Sequence, residues 1–140
     1  MMMLFQKRVW ARRPLSPVGP ASRQRRMEPG MIDIGYEEKA DGALVVTPRF
    51  KRLDALIASE FRDAVGARLA NHKTVVLALG SVGFVDSSGL ASLISLLKRM
   101  PAGAQLRLCE VAGAVQHLLT VTRLEKIFPV HPDVASALKA

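Results

Sequence analysis

Apolar and polar residues alternate from Ile32 onward: Ile32, Ile34 and Tyr36 are separated by Asp33, Gly35 and Glu37, the period of two that marks a strand with one covered face. Asp41-Gly42 supplies turn chemistry and the β-rich run Ala43 to Thr47 follows, so the segment predicts a hairpin. From Asp54 the period lengthens. Ile57, Phe61, Val65 and Leu69 recur every four residues while Glu60, Arg62, Asp63 and Arg68 fill other faces. This predicts an amphipathic helix with Asp54 near its start, where a carboxylate can cap free N–H groups, and Asn71-His72 at its end. Val75 to Leu79 is continuously apolar, as expected of a central strand covered on both faces.

After Asp86-Ser87-Ser88-Gly89, the residues Leu90, Leu93, Ile94 and Leu97 restore the helical period until Pro101-Ala102-Gly103 breaks it. Leu106 and Leu108 alternate with Arg107 in a further strand, and Val115, Leu118 and Leu119 mark a third helix. Ile127 to Val130 predicts a short last strand, and Pro132 to Leu138 a closing helical turn or two. A hairpin followed by the order α-β-α-β-α-β-α implies parallel pairing through crossover helices. The expected fold is a single α/β domain with a mixed sheet of four to five strands and about four helices.

Composition sharpens this picture. The 140 residues suit one hydrophobic core, and 49% apolar against 23% charged residues can supply it. The longest apolar run, Val75 to Val85, is already broken by Gly80, Ser81 and Gly83, too short for a bilayer span of roughly 18 or more residues. One cysteine, Cys109, leaves neither an intramolecular disulfide nor a zinc cluster, and a reducing, cytoplasmic setting fits.

The net charge of +8 is concentrated at one end. Residues 1–30 carry seven basic side chains (Lys7, Arg8, Arg12, Arg13, Arg23, Arg25, Arg26) against Glu28, leaving +2 for residues 31–140. Four prolines and no apolar period predict a flexible, disordered basic tail over 1–30, ahead of a domain over 31–140. With the charge in the tail, and only Phe5 and Trp10 as aromatics there, no stacking platform forms, so neither direct nucleic-acid binding nor a membrane role is expected.

Candidate chemistry lies in Val82 to Leu90, which sets a carboxylate and two hydroxyls where an apolar strand runs into an amphipathic helix. Such a junction leaves backbone N–H groups unpaired at the positive end of the helix dipole, which favours a phosphate. Gly89, in the first turn, lets another surface approach the backbone. The simpler reading is a helix cap by Asp86 or Ser87.

Asp86-Ser87-Ser88-Gly89-Leu90, preceded by Val75 to Leu79 and Phe84-Val85, resembles the signature of the STAS domain family, specifically the bacterial anti-sigma factor antagonists. Arg52-Leu53-Asp54-Ala55 resembles the family's Gly-x-Leu-Asp segment, and Ala104 to Leu124 its strand-helix ending with Thr122-x-Leu124. The resemblance runs from about residue 31 to the C-terminus. It implies a switch and no enzyme: unphosphorylated, the chain would bind a partner that is both anti-sigma factor and serine kinase, releasing a sigma factor. Phosphorylation at Ser87, or at Ser88 as the fallback, would weaken that binding, and a serine phosphatase would restore it.

Asp54, Asp86, Ser87, Ser88, Gly89 and Leu90 would form the docking face; no catalytic residue, metal or cofactor is implied. The departures are Ala78 where the family has an aspartate, Lys51 in place of the glycine, and Pro48 in the preceding strand. The alternative use of the same fold is a scaffold subunit of a signalling or lipid-transport assembly without a phosphorylation cycle. Hydrolysis has little support, since Val85 stands where a nucleophile elbow needs glycine and no phosphate-binding loop is present.

Overall fold

The computed structural model describes residues 32–140, so the leader expected over residues 1–30 lies outside the described residues. β1 (Ile34–Glu38) and β2 (Leu44–Pro48) form the expected antiparallel hairpin, with Gly42 at φ +89° in the turn. β2 then pairs in parallel with β4 (Thr74–Ala78), β4 with β6 (Gln105–Cys109), and β6 with β7 (Val130–His131). The sheet order is therefore β1-β2-β4-β6-β7, a mixed five-stranded sheet with β4 at its centre. Pro48 is tolerated because it ends β2; beyond it the ladder resumes through the Arg49 amide, which donates to the Asp33 carbonyl at 2.8 Å.

Among the described residues four α-helices accompany the sheet: α1 (Ala58–Gly66), α2 (Ser87–Arg99), α3 (Gly113–Val121) and α4 (Val134–Lys139). The main core lies on one face of the sheet, where Leu44, Val46, Val75, Leu77, Leu106 and Leu108 meet Phe61, Val65, Leu93, Leu96, Val115 and Leu119 from α1, α2 and α3. On the other face, Val45, Val76, Ala78 and Cys109 cluster with Ala137 of α4. Ala78 thus points into an apolar layer, where an unpaired carboxylate would be costly.

Three local expectations are corrected. Helix α1 begins at Ala58, four residues after Asp54, because the Asp54 side chain and carbonyl first close a turn: Oδ1 accepts from the Leu56 amide, and the carbonyl from the Ile57 and Ala58 amides. The helix also ends at Gly66, so Leu69 reaches the core from the following turn.

The last strand is Val130–His131 where Ile127 to Val130 was expected. Arg123 in the left-handed region (φ 62°) and a 3₁₀ turn over Leu124–Lys126 carry the chain past the sheet. There Phe128 is buried and Ile127 is left exposed.

Arg107 is buried at 8% exposure instead of marking a polar face. Its Nη1 donates to the Ala137 carbonyl at 2.7 Å, and Nε and Nη2 share Gln105 Oε1, so α4 covers a satisfied guanidinium.

Burial pushes the Cys109 thiol up to about 11, with Glu110 and Asp133 adding to the rise. The thiol should not react with Ellman's reagent at pH 8 in the native protein and should react fully once denaturant is added. Because the unfolded thiol ionises first, this contribution to stability is present below about pH 9 and is lost as pH rises towards 11. Rapid labelling of the native chain would contradict the burial.

Candidate functional site

The sheet does not by itself bring Asp54 and Asp86 together. A second, two-stranded parallel ladder does: β3 (Arg52–Leu53) pairs with β5 (Phe84–Val85), Arg52 opposite Phe84 and Leu53 opposite Val85. Leu53 and Val85 are buried while Arg52 and Phe84 face out, the alternation expected of strands with one covered face. The Lys51 carbonyl accepts from the Gly83 amide at 2.9 Å and the Leu53 carbonyl from the Asp86 amide at 3.2 Å, closing both ends of the ladder.

Asp86 is the N-cap of α2. Its Oδ1 accepts from the Gly89 amide at 2.9 Å, and its Oδ2 from the Ala55 amide at 3.1 Å, 31 residues away in sequence. One carboxylate therefore caps the helix and ties it to the turn entering α1. Asp54 holds that turn from the other side: Oδ1 accepts from the Leu56 amide at 3.1 Å, and Oδ2 from Arg52 Nε at 3.3 Å. The Arg52 guanidinium lies over the Phe84 ring at 4.1 Å from its centroid.

Ser87 is exposed as the first residue of α2, whose first turn contains no acidic side chain. Ser88 is half-buried in a cleft between α1 and α2, lined also by Ser59, Arg62 and Ser92. Gly89 and Leu90, expected on a docking face, are buried. The surface that approaches Gly89 is the chain's own: a Cβ there would strike the Leu53 carbonyl and come within 2.8 Å of Val85 Cγ1. Asp54 and Asp86 are likewise partly buried and spend their oxygens on internal hydrogen bonds. Among the described residues no cluster of side chains could hold a metal ion, and no helix is long and apolar enough to cross a membrane.

The β3–β5 ladder and the outward-facing Arg52, Leu56 and Phe84 were missed by sequence reasoning. Two-residue strands carry too little period to see, although the matched order exposed-buried-acidic in Arg52-Leu53-Asp54 and Phe84-Val85-Asp86 is a usable signal.

Comparison with known proteins places this geometry. Residues 37–137 match the sequence profile of the STAS domain. The chain belongs to the STAS domain family. It is 30% identical over 84 residues to an anti-sigma F factor antagonist from Paenibacillus polymyxa, covering 59% of this chain and 70% of that protein. An anti-sigma factor antagonist from Mycobacterium paratuberculosis overlays with a TM-score of 0.70 at 26% identity, covering 80% of this chain and 95% of that one. A STAS domain anti-sigma-factor antagonist from Planctomyces limnophilus gives 0.71 at 24% identity, covering 78% and 97%. The described residues thus carry the STAS fold, with the Asp-Ser-Ser-Gly segment at the head of α2.

Substitutions at two positions test how the STAS frame is held. Gly89→Ala should lower stability by about 1–2 kcal/mol in urea unfolding, because overpacking against Leu53 outweighs the roughly 1 kcal/mol helix preference for alanine. A stabilised variant would show that the contact yields. Asp86→Asn retains a cap on Gly89 yet can turn a donor towards the Ala55 amide, so it should cost about 1 kcal/mol, and Asp86→Ala about 2 kcal/mol. An Asp86→Asn variant as stable as wild type would mean that the Ala55 bond contributes nothing.

Proposed function

We propose that this STAS protein is an anti-sigma factor antagonist that works by partner switching. In its unphosphorylated form it binds an ATP-dependent serine kinase that doubles as an anti-sigma factor, and so frees a sigma factor. The kinase in turn phosphorylates Ser87, which weakens the complex, and a serine phosphatase resets the cycle. The chain acts as the substrate and ligand of these partners, inside the cytoplasm, and performs no catalysis.

One observation carries this reading. Ser87 is exposed at the first turn of a helix whose frame is fixed by other residues: Asp86 caps it, Gly89 packs under it and the β3–β5 ladder supports it. A phosphoryl group there would add about −1.5 to −2 charges beside the positive end of the helix dipole. It would alter the surface while the helix stays capped. A docking surface shaped for a hydroxyl would then face an unpaired dianion, and even about 2–3 kcal/mol of lost complementarity is a 30- to 150-fold change in affinity. Ser88 faces the α1–α2 cleft and is the poorer acceptor on access alone.

The test uses wild type, Ser87→Ala and Ser87→Asp as baits in native lysate, with mass spectrometry and phosphosite mapping. The expected result is an ATP-binding kinase on the first two baits, its loss on Ser87→Asp, and phosphate on Ser87. Recovery of the same transporter or scaffold subunits on all three baits, with Ser87 unmodified, would replace the switch with a scaffold.

A further inference from the structure

The sheet has two edges, and they are unlike. β7 is two residues long, whereas β1 runs over Ile34–Glu38 and pairs, among the described residues, with β2 alone. The hairpin register fixes which backbone groups of β1 are left over. The Arg49 amide donates to the Asp33 carbonyl and the Lys39 amide to the Ala43 carbonyl, both at 2.8 Å, so the odd-numbered residues from 33 to 39 turn towards β2. Ile34, Tyr36 and Glu38 therefore direct their N–H and C=O groups outward. Pro48, which has no N–H, stands opposite Ile34, in a pair that exchanges no ladder bond.

An edge of this kind is a template for another strand, and its charges select which one. Along one face of β1 stand Asp33, the Arg49 guanidinium, Glu37 and Lys39; Arg49 lies over Gly35, where a Cβ would strike it. The signs alternate. Within the chain Arg49 pairs with Asp33 and Lys39 with Glu37, each at 3.0 Å and through one carboxylate oxygen, yet Asp33, Arg49 and Glu37 remain more than half exposed.

A row of alternating sign complements itself when turned end for end. A second copy of β1 laid antiparallel about a two-fold axis at Tyr36 sets Asp33 opposite Lys39, and Glu37 opposite the Arg49 that covers Gly35, each pair occurring twice. The same register sets Tyr36 against itself and Ile34 against Glu38, the residues whose backbone groups are left over. Sliding the pair by two residues keeps this parity but sets Asp33 against Glu37, or Glu37 against its own copy. In-register parallel pairing sets every charge against itself. On the other face Glu38, 3.4 Å from His72 Nε2, meets Ile34. Arg68, stacked on the Tyr36 ring, is brought towards its own copy there, with a Glu38 two residues along on either side.

We propose that β1 is a homodimer interface: two copies of this chain pair antiparallel through β1 about Tyr36, joining their five-stranded sheets into one continuous sheet. The two-fold closes both β1 edges at once, so pairing through β1 stops at the dimer. The contact is small and the dimer reversible. It uses none of the residues around Ser87 and is independent of the switch reading.

The test is sedimentation of the full chain from about 1 to 300 μM at low salt, with amide hydrogen exchange at both ends of that range. Wild type should pass from monomer to dimer. The Ile34, Tyr36 and Glu38 amides should gain protection with concentration, while those of Gly35 and Glu37, turned towards β2, should not. Asp33→Lys and Lys39→Asp should each weaken self-association about tenfold, because each sets like charges opposite one another twice. Mixed in equal amounts, these two variants should form a heterodimer of about wild-type strength, since one chain then offers only cations at positions 33 and 39 and the other only carboxylates. That recovery would also show that neither variant is misfolded. A wild-type chain that stays monomeric throughout overturns the proposal, and protected edge amides in that monomer would assign the edge to the chain's own residues 1–31. A mixture no tighter than the single variants overturns the antiparallel register, and protection gained at other amides instead overturns β1 as the interface.

Discussion

A single carboxylate joins the two halves of the site end of this domain. Asp86 caps α2 through one oxygen and holds the Ala55 amide through the other, so the start of that helix and the turn entering α1 share one anchor. The β3–β5 ladder brings the two segments to hydrogen-bonding distance, and Gly89 keeps them there because any side chain would collide with the Leu53 carbonyl. Remove the carboxylate and the helix frays from its first turn while the Asp54 turn loses its outside support. The exposure of Ser87 and the hold on the Leu56 turn both depend on this arrangement.

That division of labour explains how a site rich in acidic and hydroxyl groups can serve as a surface. The acidic groups stabilise the frame, where a charge-assisted hydrogen bond to a backbone amide is worth more than one given to water. The hydroxyl of Ser87 is left exposed and outside that frame. The remaining departures from the family pattern fall away from this frame. Ala78 lies in the apolar layer under α4, and Pro48 closes a strand end.

Most of the architecture was legible because its elements are long and regular. The hairpin, the central strand and the helix after Asp86 each follow from an uninterrupted period. The failures share a cause: short pieces whose conformation is set by contacts far away in sequence. Arg107 reads as a polar strand face until α4 returns across the sheet to accept from its guanidinium. The apolar run from Ile127 reads as strand three residues ahead of the ladder because Phe128 is apolar for core packing and lies outside the paired residues. At the site, the motif located Asp86 and Ser87, but the roles of Gly89 and Leu90 could not be read. Whether a glycine faces a partner or the chain's own β3 is a tertiary fact.

The central claim is that phosphate on Ser87 changes the surface and leaves the frame intact. Its most direct test is amide hydrogen exchange, residue by residue, on the unphosphorylated chain and on the chain carrying phosphoserine at position 87. Unchanged protection at the Ala55 and Gly89 amides, the two donors to Asp86, is the predicted result. A large loss of protection at either would contradict it, and would mean that the phosphate acts by releasing the carboxylate clasp.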